Sequence, residues 1–569
     1  MFEGLGFRRE AGRAAAFSRG FYRRPAPTLY RRRRCPVTFL GFSFDPRLPG
    51  LKTDAGMRPI ISIVLSFLFS TTGFAAGKAE HIVVVVWDGM RPDFMTEQYT
   101  PALHQLAQEG VFFQNHHPVY LSATEVNGTA ISTGAYPAHS GIMANKEYRP
   151  RLDMLKAVGT ESSETVRAGD RLTKGRYLSL PTIAEILQSR GYSTAIAGTK
   201  AVALLHDRKE RDERYRLGKI LFTDKTLPTN ASTQLIQALG PYPKSAQPNA
   251  ARDEWTTRAL AGPFWKDGVP KFSLLWLSEP DFSQHDFGPG SETAVAALKS
   301  SDNNLARVLG ELERRGLRGK TDIFVVSDHG FSTITQTADV AKVLQGAGFK
   351  AAREFKRPPS KDDILVISNG GATLLYVIGR DSKLIRKVVA FLQRQEFTGV
   401  LFTRKPVEGA FTLDQASIKT PNAPDILIAL RWASDKSSNG TAGLVFCDES
   451  GRKPGQGMHV TLSRFDMHNT LIASGPDFRH GAVDELPTGN VDIAPTILWI
   501  LGIKPPKPMD GRVLTEALMI DGPKVGAPKT TRIEAAHQKQ KSVWRQYLQR
   551  TELNGVIYLD EGNGGLEPR

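Results

Sequence analysis

Residues 81–88, His-Ile-Val-Val-Val-Val-Trp-Asp, form a short apolar run that ends on an acidic side chain. Two later runs, 272–277 and 322–327, are built in the same way and are also followed by acidic residues and histidines. Short apolar runs of this kind are typical of buried strands in a parallel sheet. In open α/β sheets, ligands bind beyond the carboxyl ends of the strands. The sequence therefore predicts metal-type ligands along one sheet edge: Asp88, Asp281, His285, Asp328 and His329.

Between these runs, strand patterns alternate with helical patterns. Residues 100–107 begin with Thr100 and Pro101, a typical helix start. A longer helix is expected over 293–315, where apolar residues recur at helical spacing. Alternation of this kind predicts βαβ units. We therefore expect an α/β fold with a mostly parallel central β-sheet flanked by helices.

The positive charge of the chain is concentrated at its start. Residues 1–56 carry twelve Lys and Arg residues against four acidic residues, which is half of the net charge of +16. This segment is expected to be either a basic, disordered leader or a mis-assigned start. Because the remainder is only mildly basic, we expect no stable nucleic-acid partner.

Residues 57–76 have the layout of a secretory signal peptide: a basic start, roughly ten apolar residues, then small residues. The apolar part is too short to span a bilayer. The alternatives are an N-terminal anchor and a buried helix. We expect export, a periplasmic or secreted location, and no integral membrane segment in the mature protein.

Residues 77–520 are expected to form one catalytic domain, because strand and helix patterns continue through them. Three stretches inside it are richer in charged and turn residues and predict cap insertions. They lie near 146–178, 206–255 and 350–450. Residues 521–569 are expected to add one helix around Trp544 and a short strand at 556–559, both packed on the core.

Several motifs together resemble the nucleotide pyrophosphatase/phosphodiesterase branch of the alkaline phosphatase superfamily over roughly residues 80–515. Each motif alone is weak, and their combination is specific. The motifs are Asp-Gly-Met-Arg-Pro-Asp at 88–93, Thr-Glu-Val-Asn at 124–127, Ser-Thr-Gly-Ala-Tyr-Pro at 132–137, Gly-Ile-Met-Ala-Asn at 141–145, Pro-Asp at 280–281 with His285, Ser-Asp-His-Gly at 327–330, and Gly-Met-His at 457–459. The resemblance implies an alkaline-phosphatase-like sandwich.

The resemblance also implies two zinc ions held by seven side chains. Zinc accepts imidazole nitrogen and carboxylate oxygen, and hydrolytic sites keep a coordination position open for water or substrate. Two such ions can clamp the attacking and leaving oxygens of a displacement at phosphorus. The implied ligands are Asp88, Thr124, Asp328 and His329 for one ion, and Asp281, His285 and His459 for the other.

Thr124 is implied to be the nucleophile, because its hydroxyl becomes reactive when a metal activates it. The small residues after it favour a helix whose N-terminus points backbone N–H groups at a phosphoryl group. Asn145 matches the position that donates to a phosphoryl oxygen in the family. Asn127 is a second candidate for substrate binding, or it holds the loop. Lys200, just past a predicted strand, is a third candidate, or an ordinary surface lysine.

Two departures from the family pattern bear on the site. Val460 stands where the family usually has Gly after the histidine, which leaves His459 the least secure ligand. Glu125 stands where nucleotide-hydrolysing relatives often carry an aromatic residue that stacks on the base, which puts nucleotide specificity in doubt.

The resemblance thus implies an exported two-zinc hydrolase that cleaves phosphodiester or pyrophosphate bonds through a phospho-threonine intermediate, acting on a small phosphate diester or a nucleotide-like substrate. A phosphomonoesterase or a phosphonate hydrolase on the same site stays open. A sulfatase is disfavoured, because residues 124–127 lack the Cys/Ser-x-Pro-x-Arg setting of its nucleophile. From another class, an inactive periplasmic binding protein is the alternative.

Overall fold

Strands and helices alternate from residue 81 onward. The structure, a computed structural model, describes residues 77–211, 214–448, 451–538 and 541–568. The strands are β1 (His81–Trp87), β2 (Val111–His117), β3 (Lys146–Glu147), β4 (Val158–Gly159), β5 (Thr194–Gly198), β6 (Gly218–Phe222), β7 (Lys225–Leu227), β8 (Phe272–Leu277), β9 (Thr321–Val326), β10 (Ser332–Ala338), β11 (Ala351–Ala352), β12 (Ile364–Ser368), β13 (Ala372–Val377), β14 (Thr398–Thr403), β15 (Phe411–Thr412), β16 (Ile426–Leu430), β17 (Trp432–Lys436), β18 (Ala442–Asp448), β19 (Gly457–Met458), β20 (Leu471–Ser474), β21 (Ala482–Gly489), β22 (Lys529–Gln538), β23 (Ser542–Leu553) and β24 (Val556–Pro568).

The helices lie mostly between strands of the central sheet. They are α1 (Pro101–Glu109), α2 (Thr124–Thr133), α3 (Pro137–Ser140), α4 (Ser163–Thr173), α5 (Ile183–Ser189), α6 (Ala203–His206), α7 (Ala231–Leu239), α8 (Ala250–Ala261), α9 (Asp281–Phe287), α10 (Glu292–Arg314), α11 (Val340–Gly346), α12 (Ser382–Leu392) and α13 (Ile493–Ile500). The predicted helices over 100–107 and 293–315 correspond to α1 and α10. Short 3-10 turns join several of the elements.

The central sheet has nine strands in the order β21-β2-β20-β9-β1-β8-β5-β6-β7. Strand β1 lies between β8 and β9 and runs parallel to both. Strands β5 and β8 also pair in parallel, whereas β20 runs antiparallel to β9 and β2. The three ligand-bearing strands are therefore neighbours with their carboxyl ends at the same edge. The predicted α/β fold with a mostly parallel central sheet is confirmed.

Strand β1 shows why this sheet is buried on both faces. Val83, Val85 and Trp87 pack into one apolar cluster with residues of α1, α8 and α10. The residues of β1 on the opposite face, with Val84 at their centre, pack into another cluster with residues of α2, α6 and α13. Because side chains alternate across a strand, an unbroken Val run supplies both layers at once. Burial of this kind contributes about 25 cal/mol per Å² of apolar surface.

The interpretation of 206–255 as a cap is wrong for part of that stretch. Strands β6 and β7 extend the central sheet beside β5, and α8 packs on β5 and β8. Residues 351–430 instead hold the whole of a second, six-stranded sheet in the order β11-β12-β13-β16-β14-β15. Apolar residues of that sheet pack with Val126 and Ala130 of α2.

The C-terminal helix predicted around Trp544 is wrong. The described residues 529–538 and 541–568 instead hold an antiparallel sheet of β22, β23 and β24. Within β23, the alternate residues Trp544, Gln546 and Leu548 are buried, which is the period of a strand and not of a helix. The predicted strand at 556–559 is the start of β24.

The predicted leader and signal peptide, 1–76, lie outside the described residues. Within the described part of the chain, none of the helices combines the length and apolar character needed to cross a membrane.

Candidate active site

Acidic side chains follow the three predicted strands and lie close together at one edge of the sheet. Asp88 directly follows β1, Asp328 lies two residues after β9, and Asp281 is the first residue of α9, shortly after β8. All three are almost fully buried. Isolated carboxylates are costly to bury, so a cluster of three requires compensating positive charge.

Histidines complete two overlapping groups around these acids. One ligand atom each from Asp88, Asp328 and His329 lies within 4.8 Å of the others, and the same holds for Asp281, His329 and His459. His285 Nε2 lies 3.3 Å from Asp281 Oδ1, one turn of α9 away. His459 Nε2 lies 3.7 Å from the same oxygen. The six Asp and His side chains predicted from the sequence therefore converge.

Each histidine presents the same nitrogen to the acids. His285 Nδ1 donates to the carbonyl of Gly457 at 3.0 Å, and His329 Nδ1 donates to that of Gly330 at 2.9 Å. His459 Nδ1 donates to a third carbonyl, that of Ser122, at 2.8 Å. A ring that keeps its proton on Nδ1 for the carbonyl has Nε2 available as a lone-pair donor to a metal. This backbone fixation of the tautomer is common among metal-ligating histidines.

Each carboxylate divides its two oxygens between the protein and the centre of the cluster. Asp328 Oδ1 accepts from the N–H groups of Gly89 and His329. Asp88 Oδ2 accepts from the Trp276 indole at 2.8 Å. Within the described residues, the other oxygens have no hydrogen-bond donor: Asp88 Oδ1, Asp281 Oδ1 and Asp328 Oδ2. Buried oxygens without donors beside three imidazole lone pairs fit a divalent cation such as zinc.

Thr124 begins α2 and lies among these ligands. Its Oγ1 is 3.4 Å from His329 Nε2, and the side chain is buried. The preceding Ala123 provides no side-chain cap to the helix. The N–H groups at the start of α2 therefore retain capacity to bind an anion beside the hydroxyl. The predicted helix N-terminus under Thr124 is confirmed.

Asn145 lies next to Thr124 although it is 21 positions later in the chain. Its Oδ1 accepts from the N–H of Glu125 at 3.2 Å. With the oxygen used in this way, the amide Nδ2 is the atom available to donate to a substrate. Asn145 also borders a cavity of about 750 Å³ that His285 and His459 line as well.

Lys200 lies inside the cluster and is not a surface lysine. Its Nζ is 2.9 Å from Asp88 Oδ2 and 2.9 Å from Asp281 Oδ2. Burial alone would lower its pKa, but Asp281, Asp88 and Asp328 together raise the pKa of Lys200 well above the usual value. The ammonium therefore stays charged and offsets part of the negative charge of the cluster.

The remaining charges are set by burial and by neighbouring groups. Burial, reinforced by Asp328, raises the pKa of Asp88 well above its ordinary range. Burial would also raise the pKa of Asp281, but His285 and Lys200 hold it well below that range. Burial, with His329 next, lowers the pKa of His459 well below its usual value. His459 is therefore neutral, the form that ligates a metal.

Asn127 does not face the substrate side, and its assignment as a substrate-binding residue is wrong. Its Oδ1 accepts from Val119 N at 2.8 Å and from Asn490 Nδ2 at 3.0 Å. Its Nδ2 donates to the carbonyls of Val119, Leu121 and Ala123. Every polar atom of this fully buried side chain is occupied, so it holds the loop before α2.

The backbone conformation at Val460 is one that favours glycine. Its φ of 80° lies in the left-handed region, where a β-branched residue is strained. The side chain is nevertheless buried. The substitution leaves His459 in place, since His459 still reaches Asp281.

Two buried acids that sequence reasoning missed hold the segment that carries Asp281. Asp253 accepts from the N–H groups of Ser278 and Glu279. Glu279 in turn accepts from Asn249 N at 2.6 Å and Ser283 N at 3.0 Å. Burial raises the pKa of Asp253 to about 6 and that of Glu279 to about 7. Neither acid stands in a ligand motif, so only their position reveals them.

The chain is similar to curated pyrophosphatases and phosphodiesterases. The chain is 24% identical over 269 residues to human ectonucleotide pyrophosphatase/phosphodiesterase family member 1, an alignment that covers 47% of this chain and 23% of the human protein. Venom phosphodiesterase CdcPDE of Crotalus durissus collilineatus is also 24% identical, over 47% of this chain and 26% of its own length. The alignment therefore spans about a quarter of the length of these two relatives.

Solved structures show the same fold. An inactive variant of murine ectonucleotide pyrophosphatase/phosphodiesterase 5 in complex with AMP superposes with a TM-score of 0.56 and 16% identity, over 77% of this chain and all of the murine chain. The human counterpart gives a TM-score of 0.54 at the same identity and coverage. The profile described as type I phosphodiesterase / nucleotide pyrophosphatase matches residues 82–438. The chain belongs to that metal-dependent family, within the alkaline phosphatase superfamily.

Proposed function

We propose that this chain is a hydrolase that binds two zinc ions and cleaves phosphodiester or pyrophosphate bonds through a phospho-threonine intermediate. The observation that carries the proposal is the position of Thr124 Oγ1, 3.4 Å from His329 Nε2 at the N-terminus of α2. A hydroxyl beside a candidate ligand histidine and at the start of a helix is suited to attack phosphorus.

Seven side chains would hold the ions. Asp88, Thr124, Asp328 and His329 form one set, and Asp281, His285 and His459 form the other. When bound, zinc supplies Lewis-acid charge that favours the alkoxide form of Thr124 and offsets charge on the leaving oxygen. The buried carboxylate oxygens without donors support this assignment.

The chain's own residues perform the remaining work. The N–H groups at the start of α2, together with Asn145 Nδ2, would bind the non-bridging phosphoryl oxygens and align phosphorus with Thr124. Attack by Thr124 Oγ1 forms a new P–O bond as the bond to the leaving group breaks. Water then cleaves the phospho-threonine ester and returns the free hydroxyl.

A phosphomonoesterase or phosphonate hydrolase is the second candidate, and Lys200 favours it. A monoester carries a second negative charge, which is best met by a cation. Lys200 supplies such a cation among the candidate metal ligands. Its Nζ lies 2.9 Å from Asp88 Oδ2 and 2.9 Å from Asp281 Oδ2. The names of the relatives favour nucleotide-like substrates, whereas Glu125 beside Thr124 is not suited to stacking on a base.

The other open proposals rest on the sequence. An inactive binding protein is disfavoured, because the nucleophile and all six Asp and His ligands are present and converge.

Export to a periplasmic or secreted location rests on residues 57–76. N-terminal sequencing of the mature protein should begin near residue 77, and recovery of residues 1–56 would contradict it.

Substitution of Thr124 tests the proposal. Thr124→Ala should abolish turnover of bis-p-nitrophenyl phosphate while the fold and most metal affinity remain, because six other ligands stay in place. Thr124→Ser should keep measurable activity, since it retains a hydroxyl. Acid quenching of the wild-type enzyme during turnover, followed by peptide mass spectrometry, should find phosphate on Thr124. Full activity in Thr124→Ala would refute the mechanism.

A further inference from the structure

The backbone that carries Asn145 belongs to a short loop, residues 141–145, between α3 and β3. The side chain of Asn145 meets α2 through its Oδ1, which accepts from Glu125 N at 3.2 Å. This bond orients the amide group but does not hold the backbone behind it. The direction of Asn145 Nδ2 therefore depends on how firmly the loop itself is held.

A buried acid, Glu147, holds the loop from the residue after next. Its side chain is fully buried. Its Oε1 accepts from the N–H groups of Met143 at 2.7 Å and of Ala144 at 3.3 Å. These are the two residues directly before Asn145. A carboxylate that accepts from successive backbone N–H groups fixes the local direction of the chain.

Arg149 provides the positive charge that allows this acid to be buried. Its Nη2 lies 3.0 Å from Glu147 Oε2 and also donates to the carbonyl of Gly141 at 3.1 Å. The guanidinium lies over the ring of Tyr177, 4.7 Å from the ring centroid. Buried charges are tolerated when they are paired. The ion pair therefore joins the first residue of the loop to the two residues before Asn145.

Residues of the stretch 146–178, for which the sequence predicted a cap, hold the other end of the loop. Thr160 N donates to the carbonyl of Asn145 at 2.9 Å, and Thr160 Oγ1 donates to that of Ala144 at 2.9 Å. Tyr177 OH donates to the carbonyl of Thr160 at 2.6 Å. Part of this stretch therefore supports the backbone that presents Asn145.

We propose that Glu147, paired with Arg149, is a positioning residue that keeps Asn145 Nδ2 directed at the phosphoryl group. The proposal rests on the proposed function, which assigns Asn145 to a non-bridging oxygen. Glu147 belongs to neither group of candidate metal ligands and acts through the backbone of Met143 and Ala144. A hydrogen-bond donor stabilises a transition state most when it is held in place before the reaction. A loop that is free to turn would lose part of that stabilisation.

Steady-state kinetics with bis-p-nitrophenyl phosphate tests this role. Glu147→Ala removes the acceptor for both N–H groups and should lower kcat about tenfold, part of the loss expected for Asn145→Ala. KM should change little, because the interaction serves mainly the transition state. Glu147→Gln keeps an oxygen that can accept from the loop, so it should recover part of the lost kcat.

Glu185 offers a matched control, because it is also a buried acid paired with a buried arginine. Its Oε1 lies 3.0 Å from Arg208 Nη1, and its Oε2 accepts from Thr182 N at 3.1 Å. Glu185→Ala should therefore destabilise the fold in a similar way but leave kcat unchanged. Circular dichroism and zinc content are measured for every variant, so that kcat is compared among folded, equally loaded proteins.

A double-mutant cycle separates positioning from a general loss of structure. In the Asn145→Ala background, Glu147→Ala should cause little further loss of kcat, because the two residues act as one unit. If Glu147→Ala does not fold, Glu147→Gln enters the same cycle with a smaller expected loss. Equal losses in the two backgrounds, full kcat in both Glu147 variants, or an equal loss in Glu185→Ala would overturn the inference.

Binding of inorganic phosphate provides a readout that needs no turnover. Calorimetry on zinc-loaded protein should show weaker phosphate binding in Glu147→Ala than in the wild-type protein, because Asn145 Nδ2 is no longer held toward the anion. An unchanged phosphate affinity would contradict the positioning role. Absence of diester hydrolysis by the wild-type enzyme would instead refute the proposed function, so the two failures are distinguishable.

Discussion

Two buried polar clusters adjoin each other at the start of α2, and they use their hydrogen bonds differently. In one, Asp88, Asp281 and Asp328 each keep an oxygen without a donor. In the other, every polar side-chain atom of Asn127 has a partner in the protein. Asn490 joins the two clusters, since its Nδ2 donates both to Asn127 Oδ1 and to the carbonyl of Asp328.

The satisfied cluster continues through His116. Its Nδ1 contacts Thr488 Oγ1 at 2.9 Å and its Nε2 contacts Asn490 Oδ1 at 2.9 Å. Burial lowers the pKa of His116 to about 3, so it is a neutral, structural histidine. The comparison teaches that burial and polarity alone do not identify a functional group. Within the part of the chain that the structure describes, three carboxylate oxygens without donors, gathered beside histidine nitrogens, distinguish the candidate metal centre from Asn127 and His116, whose side-chain polar atoms all have partners.

Among Asn145, Lys200 and Asn127, substitutions at Asn145 should have the largest effect on kcat. Asn145→Ala should lower kcat by on the order of 10²-fold, the usual loss for one donor to a phosphoryl oxygen. Asn145→Asp keeps the oxygen that accepts from Glu125 N but removes the donor, so it should be at least as impaired. Steady-state kinetics with a diester checks both variants. Full activity in Asn145→Asp would mean that Asn145 only holds the loop.

Lys200 gives a smaller, substrate-dependent effect. Lys200→Ala should lower kcat/KM for a p-nitrophenyl monoester about tenfold more than for bis-p-nitrophenyl phosphate, because the monoester carries the extra charge. Lys225→Ala, at an exposed lysine on β7, is the control and should change neither value. Equal losses for the two esters would show that Lys200 serves only to balance Asp88 and Asp281.

Asn127 should affect stability more than chemistry. Asn127→Ala leaves several buried backbone groups without partners and should cost about 1–3 kcal/mol of the free energy of unfolding. The metal content should stay the same, because Asn127 contacts none of the ligand atoms. Denaturant unfolding checks this against Asn115→Ala, at an exposed side chain. A variant as stable as the control would contradict the structural role given to Asn127.

The convergence of the ligands could be predicted from the sequence, because their positions follow from strand ends. A short apolar run indicates where a parallel strand ends, and Asp88 and Asp328 lie within two residues of such ends. His459 was reached only through the family resemblance, since nothing local links it to Asp281. Asn127 was misjudged because its partners, Val119 and Asn490, are visible only after folding.

Elsewhere the prediction failed for a different physical reason. The residues around Trp544 include apolar positions that fit a helix loosely, but pairing with β22 and β24 decides their structure. Strand pairing is non-local, so tertiary contacts override local propensity. The same holds for β6 and β7, whose charged surroundings suggested a cap and whose pairing with β5 places them in the central sheet.

The central claim is that the oxygens without donors mark a two-zinc centre, and metal content tests it most directly. Inductively coupled plasma mass spectrometry on purified protein should find two zinc ions per chain. Asp281→Asn should lower that number to about one, since only the set with His285 and His459 is weakened, and Asn127→Ala should leave it at two. A wild-type protein without bound metal, or an unchanged count in Asp281→Asn, would contradict the account.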